Sequence, residues 1–165
     1  MIYFLTFRTY GTWLHGDERG SVDRFHNQVG EPLLGADEGL QRYRRRLLKT
    51  QPIILDEQCR ACIEATMREV ASYRGWTIHA LKVLSNHIHV VVETDESPQD
   101  ARPEKLLVDF KAYTTRRLRE AKLWEEAGSI WEHHGSTRYL KSNQELQNAC
   151  HYVLYCQDET SEPRA

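Results

Sequence analysis

The spacing of apolar residues along the chain changes between a period of two and a period of three to four, and each change marks a new element. Segment 2–9 alternates loosely and is rich in Tyr, Phe and Thr, which predicts a strand. Two β-rich runs, at 76–84 and 88–93, are separated by a Ser-Asn turn and predict an antiparallel pair. A short strand or hairpin is expected over 129–139.

Three segments carry the period of an amphipathic helix. The first, 56–74, has Asp56 as a suitable N-cap and is followed by Gly75, which is typical of a helix end. The second, 103–123, places an apolar stripe opposite a basic face. The third, 142–157, opens with a capping-box arrangement. Its predicted inward positions are Leu146, Ala149, Cys150, Val153 and Leu154.

The order strand, helix, strand, strand, helix, strand, helix predicts a ferredoxin-like α+β sandwich. We therefore expect an antiparallel sheet with helices on one face, followed by a C-terminal helix. The 165 residues suit a single domain, expected at 1–157, with a polar tail at 158–165. Segment 16–35 is rich in Gly and polar residues and is expected to be a long loop.

Composition narrows the class of protein. Hydrophobic residues make up 40% and charged residues 28%, as in an ordinary globular protein. No apolar run approaches the roughly 20 residues that cross a bilayer, and the first residues lack the basic region of a signal peptide. We expect a cytoplasmic protein without a membrane partner. The net charge of −2 gives no support for a general polyanion binder, so nucleic acid would be bound by local basic clusters.

Two such clusters are present. The first consists of Arg42, Arg44, Arg45, Arg46 and Lys49. The second consists of Lys111, Arg116, Arg117 and Arg119. Both are candidate DNA contacts, although solvated helix faces often carry charge runs of this kind.

The four cysteines allow two interpretations. Cys59 and Cys62 could join Cys150 and Cys156 in a tetrahedral zinc site. The spacing of the first two within a helical pattern equally fits small buried side chains, and buried thiols in a reducing compartment are the better interpretation.

The strongest candidate for chemistry is the sequence His87-Ile88-His89 in a predicted strand. Residues i and i+2 of a strand project from one face, so both imidazoles would meet one point while Ile88 enters the core. Paired imidazoles suit a divalent metal and leave coordination positions open for a third side chain and for substrate oxygens. Taken alone, the pattern is weak, since a surface strand can carry it without a metal.

The chain resembles the single-tyrosine HUH transposases, which are insertion-sequence 200-like, and within them the REP-associated tyrosine transposases. Three parts carry the resemblance: the histidine strand, the opening segment FLTFRTYGTWLHGD at 4–17, and GSTRYL at 135–140. The terminal helix adds the sequence YVLYCQ at 152–157, which matches the family's tyrosine pattern. The resemblance covers nearly the whole chain.

The resemblance implies that Tyr152 is the nucleophile, with Tyr155 as the alternative. It implies a divalent metal, Mg²⁺ or Mn²⁺, held by His87, His89 and a residue of the terminal helix. The family often has Gln or Asn four residues after the tyrosine, where this chain has Cys156, so Gln157 is our first choice for the third ligand.

The implied reaction is cleavage and rejoining of single-stranded DNA, or of hairpin ends, through a 5′-phosphotyrosine intermediate. The family includes dimers and monomers, so a homodimer is left open. One alternative is a domesticated or inactive protein of the same fold that binds hairpins without cutting them, which Cys156 supports. Another is a metal-dependent phosphodiesterase that uses water.

Overall fold

The computed structural model describes residues 1–12, 42, 51–95 and 102–156. In these ranges four strands form one sheet in the order β2-β3-β1-β4, and every neighbouring pair is antiparallel. The elements are β1 (Ile2–Thr9), α1 (Glu57–Arg74), β2 (Thr77–Val83), β3 (His87–Glu93), α2 (Pro103–Glu120), β4 (Trp131–Leu140) and α3 (Asn143–Tyr155). This is the ferredoxin-like α+β sandwich that the order of elements predicts.

The caps of α1 and α3 follow the sequence prediction. Asp56 accepts a hydrogen bond from the backbone N–H of Cys59 at 2.7 Å, and this bond lowers the pKa of the Asp56 carboxyl. Gly75 ends α1 in the left-handed conformation, with φ of 72°. Ser142 accepts from the backbone N–H of Glu145 at 3.2 Å and so begins α3.

The end of α2 differs from the prediction, which extended this helix to residue 123. The helix ends at Glu120, and Lys122 takes a left-handed conformation with φ of 57°. A left-handed residue breaks the helical hydrogen-bond ladder, which apolar spacing alone does not reveal. Within the described ranges, no helix combines the length and the apolar character needed to cross a membrane.

The sheet separates two cores of unequal size. Alternate residues of β1 (Tyr3, Leu5 and Phe7) are buried against α1 and α2 in the larger core. The opposite face packs against α3 in a smaller core. Its buried members are Ala80, Val91, Leu140, Ala149 and Val153. Leu154, predicted to point inward, is instead 42% exposed, because α3 buries only a narrow stripe.

Strand β4 departs from regular pairing near its start. Its register with β1 shifts between Phe7 and Thr9, which is the signature of a bulge. The ammonium of Lys111, on α2, donates to the backbone carbonyls of residues 132, 133 and 134 at 2.8, 3.2 and 3.1 Å. Burial lowers the pKa of Lys111 from 10.5 to about 8, and the charge of Glu132 opposes that shift. Lys111 therefore tethers the bulge to the helix layer.

Candidate active site

The two histidines of β3 lie side by side on the sheet face that α3 covers. Their ring centroids are 4.7 Å apart, and the residues are 5% and 6% exposed. Ile88, between them, is fully buried in the larger core on the opposite face. The strand therefore separates two imidazoles from an apolar side chain, as the sequence predicted for His87 and His89.

Each imidazole is held at its Nδ1 atom by a polar neighbour. His87 Nδ1 lies 2.6 Å from Asn86 Oδ1, and His89 Nδ1 lies 2.8 Å from Thr6 Oγ1. The register of β1 with β3 makes the second contact, because Thr6 is directly opposite His89. Metal-ligating histidines commonly use one ring nitrogen for such a contact, which fixes the ring and its tautomer. The donor set therefore fits a divalent cation bound through the other nitrogens.

Asn86 is itself fixed by threonines at the end of β1. Its backbone carbonyl accepts hydrogen bonds from the N–H of Thr9 at 2.9 Å and from the hydroxyl of Thr9 at 3.0 Å. The hydroxyl of Thr12 is 3.4 Å from the same carbonyl. Sequence reasoning missed the positioning roles of Thr6, Thr9 and Asn86. A signal was present, since both threonines that hold Asn86 belong to the opening segment shared with the resembling family.

Tyr152 is the tyrosine that α3 brings to the histidine pair. Its ring centroid is 5.7 Å from that of His89 and 6.0 Å from that of Phe4, with edge-to-face geometry in both cases. The residue is 43% exposed, so one side of the ring packs while part of it remains accessible to solvent. Tyr155 is 73% exposed, and its ring lies 5.2 Å from that of His151.

The helix dipole of α3 also acts on this region. Tyr152 lies in the last turn, where its carbonyl accepts from the N–H of Cys156 at 3.1 Å. The C-terminal end of a helix carries a partial negative charge that favours cations and disfavours anions. A metal ion near Tyr152 would gain from this dipole, whereas a phosphate there needs positive side chains.

The structure limits the choice of a third ligand. Cys156 is exposed, and its Sγ lies 3.6 Å from His151 Nδ1. Across the ranges that the structure describes, no three His, Cys, Asp or Glu residues form a group suited to a metal, so Cys156 does not join the histidine pair in such a group. Gln157, our first choice from sequence, lies outside the described residues.

The cysteines do not form the zinc site that their spacing allowed. All four are free thiols, and they are not grouped as metal ligands in the described part of the chain. Cys59 is buried, and burial raises the pKa of its thiol to about 11. Burial also raises the pKa of Cys150. A buried and protonated thiol at Cys59 fits the structural interpretation.

The second basic cluster lies on the other side of the sheet from the histidines. Arg116 and Arg117 are on α2, which packs against the sheet face opposite α3. They line a cavity of about 330 Å³ between α1 and α2. Arg116 stacks over the ring of Tyr113 at 5.6 Å, and Arg117 pairs with Glu69 at 2.7 Å. Together with the tethered Lys111, these residues are not brought to the histidine pair.

Of the first basic cluster, the structure describes only Arg42, which is helical and exposed. Arg44, Arg45 and Arg46 lie outside the described residues. Their contact with DNA stays a prediction.

A search of curated proteins gave no match. Among solved structures, a candidate transposase from Deinococcus radiodurans R1 aligns with a TM-score of 0.49 and 15% identity over 90% of this chain and 85% of that one. A REP-associated tyrosine transposase bound to a REP hairpin aligns with a TM-score of 0.47 and 12% identity over 92% of this chain and 63% of that one. The family model described as "Transposase IS200 like" matches residues 41–154. The chain therefore belongs to the IS200-like transposase family.

Proposed function

We propose that this transposase cleaves and rejoins single-stranded DNA, including hairpin ends, with Tyr152 as the nucleophile and a divalent metal held by His87 and His89. The observation that carries the proposal is the packing of Tyr152 against His89 within one chain, at a ring separation of 5.7 Å. The candidate nucleophile, which is partly exposed, and the candidate cation site, whose histidines are buried, thus lie next to each other on one face of the sheet.

The residues suit the proposed chemistry. A phenol with a pKa of about 10 is a weak nucleophile at neutral pH, so loss of its proton must be made easier. A bound Mg²⁺ or Mn²⁺ would supply positive charge for a non-bridging phosphate oxygen and for the developing phenolate. Asn86 and Thr6 would keep the two imidazoles oriented through their Nδ1 contacts. Gln157 remains our candidate for the third ligand.

The proposed step is an in-line displacement at phosphorus. The phenol oxygen of Tyr152 forms a bond to phosphorus as the bond to the 3′ oxygen breaks, which gives a 5′-phosphotyrosine and a 3′-hydroxyl. The phenol loses one proton, and the 3′ oxygen gains one. Because the phosphodiester is exchanged rather than hydrolysed, a second 3′-hydroxyl can attack the phosphotyrosine and reseal DNA without an external energy source.

A gel assay tests the nucleophile directly. The protein is incubated with single-stranded hairpin oligonucleotides and either Mn²⁺ or Mg²⁺, and a covalent adduct is sought on a denaturing gel. We expect an adduct with the wild type, none with Tyr152→Phe, and a retained adduct with the matched control Tyr155→Phe. Both tyrosines are on α3, so the pair separates loss of the nucleophile from damage to the helix.

Three outcomes would contradict the proposal. Cleavage that persists in Tyr152→Phe would indicate a water nucleophile. Loss of the adduct only in Tyr155→Phe would move the nucleophile to that residue. Tight hairpin binding without an adduct under either metal would indicate an inactive DNA-binding protein.

A further inference from the structure

Lys82 lies beside the histidine pair, although it belongs to neither basic cluster. The register of β2 with β3 places Lys82 directly opposite His89. Directly paired residues of antiparallel strands project from the same face of a sheet. The neighbouring pairs agree with this assignment, since Leu81 and Val90 join the larger core while Ala80 and Val91 join the smaller one under α3.

A row of polar residues therefore crosses all four strands on the histidine face. It runs from Lys82 through His89 and Thr6 to Ser136, each opposite the next. Arg8 lies opposite His87 on the other neighbouring strand. Each histidine thus has a basic residue across from it, one on β2 and one on β1.

The environment of Lys82 suggests that its charge serves a ligand. The residue is half-buried, and within the described ranges its side chain has no hydrogen bond or ion pair. An ammonium without a counter-charge in the described part of the chain is available to an approaching anion. The C-terminal end of α3 offers negative rather than positive potential there, so an approaching phosphate must obtain its positive contacts from side chains.

We propose that Lys82 binds a non-bridging oxygen of the DNA phosphate that lies at the histidine pair. This assignment rests on the proposed function and adds a specific phosphate contact to it. The rival explanation is that Lys82 merely protects β2, which is an edge strand, because lysines on sheet edges discourage unwanted strand pairing.

The test measures DNA affinity apart from catalysis. In a Tyr152→Phe background, the dissociation constant for a single-stranded hairpin is measured by fluorescence anisotropy over a range of salt concentrations. We expect Lys82→Gln to weaken binding roughly ten-fold and to reduce the salt slope by about 0.7 to 1, as loss of one phosphate contact requires. Lys82→Arg should restore most of the affinity and the slope. Lys105→Gln, an exposed lysine on α2, serves as the matched control and should leave both values unchanged.

The outcomes separate this inference from the proposed function. An unchanged affinity and salt slope in Lys82→Gln would overturn the phosphate contact and leave the edge-strand role. If the wild type forms no adduct while Lys82→Gln still reduces the salt slope, the contact stands and the transferase proposal fails. With Tyr152 present, Lys82→Gln should also slow adduct formation at saturating DNA, because a positive charge at a non-bridging oxygen stabilises the transition state.

Discussion

The two faces of the sheet differ in the size of their apolar cores and in the polar groups that they carry. On the face under α1 and α2, large apolar side chains such as Phe7, Ile63 and Phe110 are fully buried. At its rim Arg117 pairs with Glu69, and Lys111 is tethered to backbone carbonyls. On the face under α3, the apolar core is small, and the remainder carries two buried histidines, threonine and lysine. Stability is concentrated on the first face, which leaves the second free to hold polar groups for a ligand.

The largest expected effect comes from the core of the helix layer. Phe110→Ala removes a fully buried ring that packs edge-to-face on Trp76 at 5.5 Å. The free energy of unfolding should fall by about 3 to 5 kcal/mol, measured by urea denaturation. Adduct yield per folded molecule should stay near that of the wild type. A loss of activity in fully folded protein would show that the two faces are coupled.

Thr6→Val should have the opposite effects, because it should lower metal affinity and leave stability nearly unchanged. It keeps the shape of the side chain but removes the hydroxyl at 2.8 Å from His89 Nδ1. Metal affinity, measured by calorimetric titration with Mn²⁺, should fall about 10- to 100-fold. The melting temperature without metal should change little, since the site lies outside the larger core. Unchanged metal affinity would contradict the orienting role of Thr6.

The pH dependence of stability tests the burial of Lys111 on the first face. Burial lowers the pKa of Lys111 to about 8 in the folded protein, below the 10.5 of an exposed lysine. Between these values the unfolded chain binds the extra proton, so stability rises with pH relative to a variant that lacks this group. The free energy of unfolding of the wild type minus that of Lys111→Met should therefore increase from pH 8 to pH 10.5. A decrease in this difference would mean that the three carbonyl contacts stabilise the ammonium more than burial disfavours it.

The smallest effect is expected at the start of the tyrosine helix. Ser142→Ala removes the cap that binds the N–H of Glu145 and should cost about 1 kcal/mol of stability. Because α3 is anchored by a small core, hydrogen exchange should accelerate in α3 more than in α1. Equal acceleration in both helices would show that α3 is not a separate unit of stability.

Sequence periodicity and capping residues were sufficient to predict the elements. The strand at 2–9, the helix from Asp56 to Gly75 and the capping box at Ser142 match the structure, since each depends on residues close together in the chain. The histidine pair was also visible, because the two-residue repeat of a strand is a local property. The left-handed conformation of Lys122 was not visible in the sequence, because no neighbouring residue requires it.

Contacts set by strand register could not be predicted from the sequence. Thr6 and Lys82 both lie opposite His89, one on each side, only because three strands pair in one particular alignment. The helical pattern of α2 placed its arginines opposite the apolar stripe, where they are exposed, but Lys111 of the same cluster turns toward β4 instead. The pattern also could not show which side of the sheet that helix covers. The roles of Tyr152, the two histidines and Gln157 stay predictions that the proposed experiments test.

The order of the elements along the chain has a consequence for synthesis. Strands β1 and β3, with Thr6 and Thr9, are synthesised before α3, which carries the proposed nucleophile. A nascent or prematurely terminated chain could therefore form the histidine pair while it lacks the tyrosine. Under the proposed mechanism such fragments would lack the nucleophile, so the capacity to cut would arise only after α3 has been made.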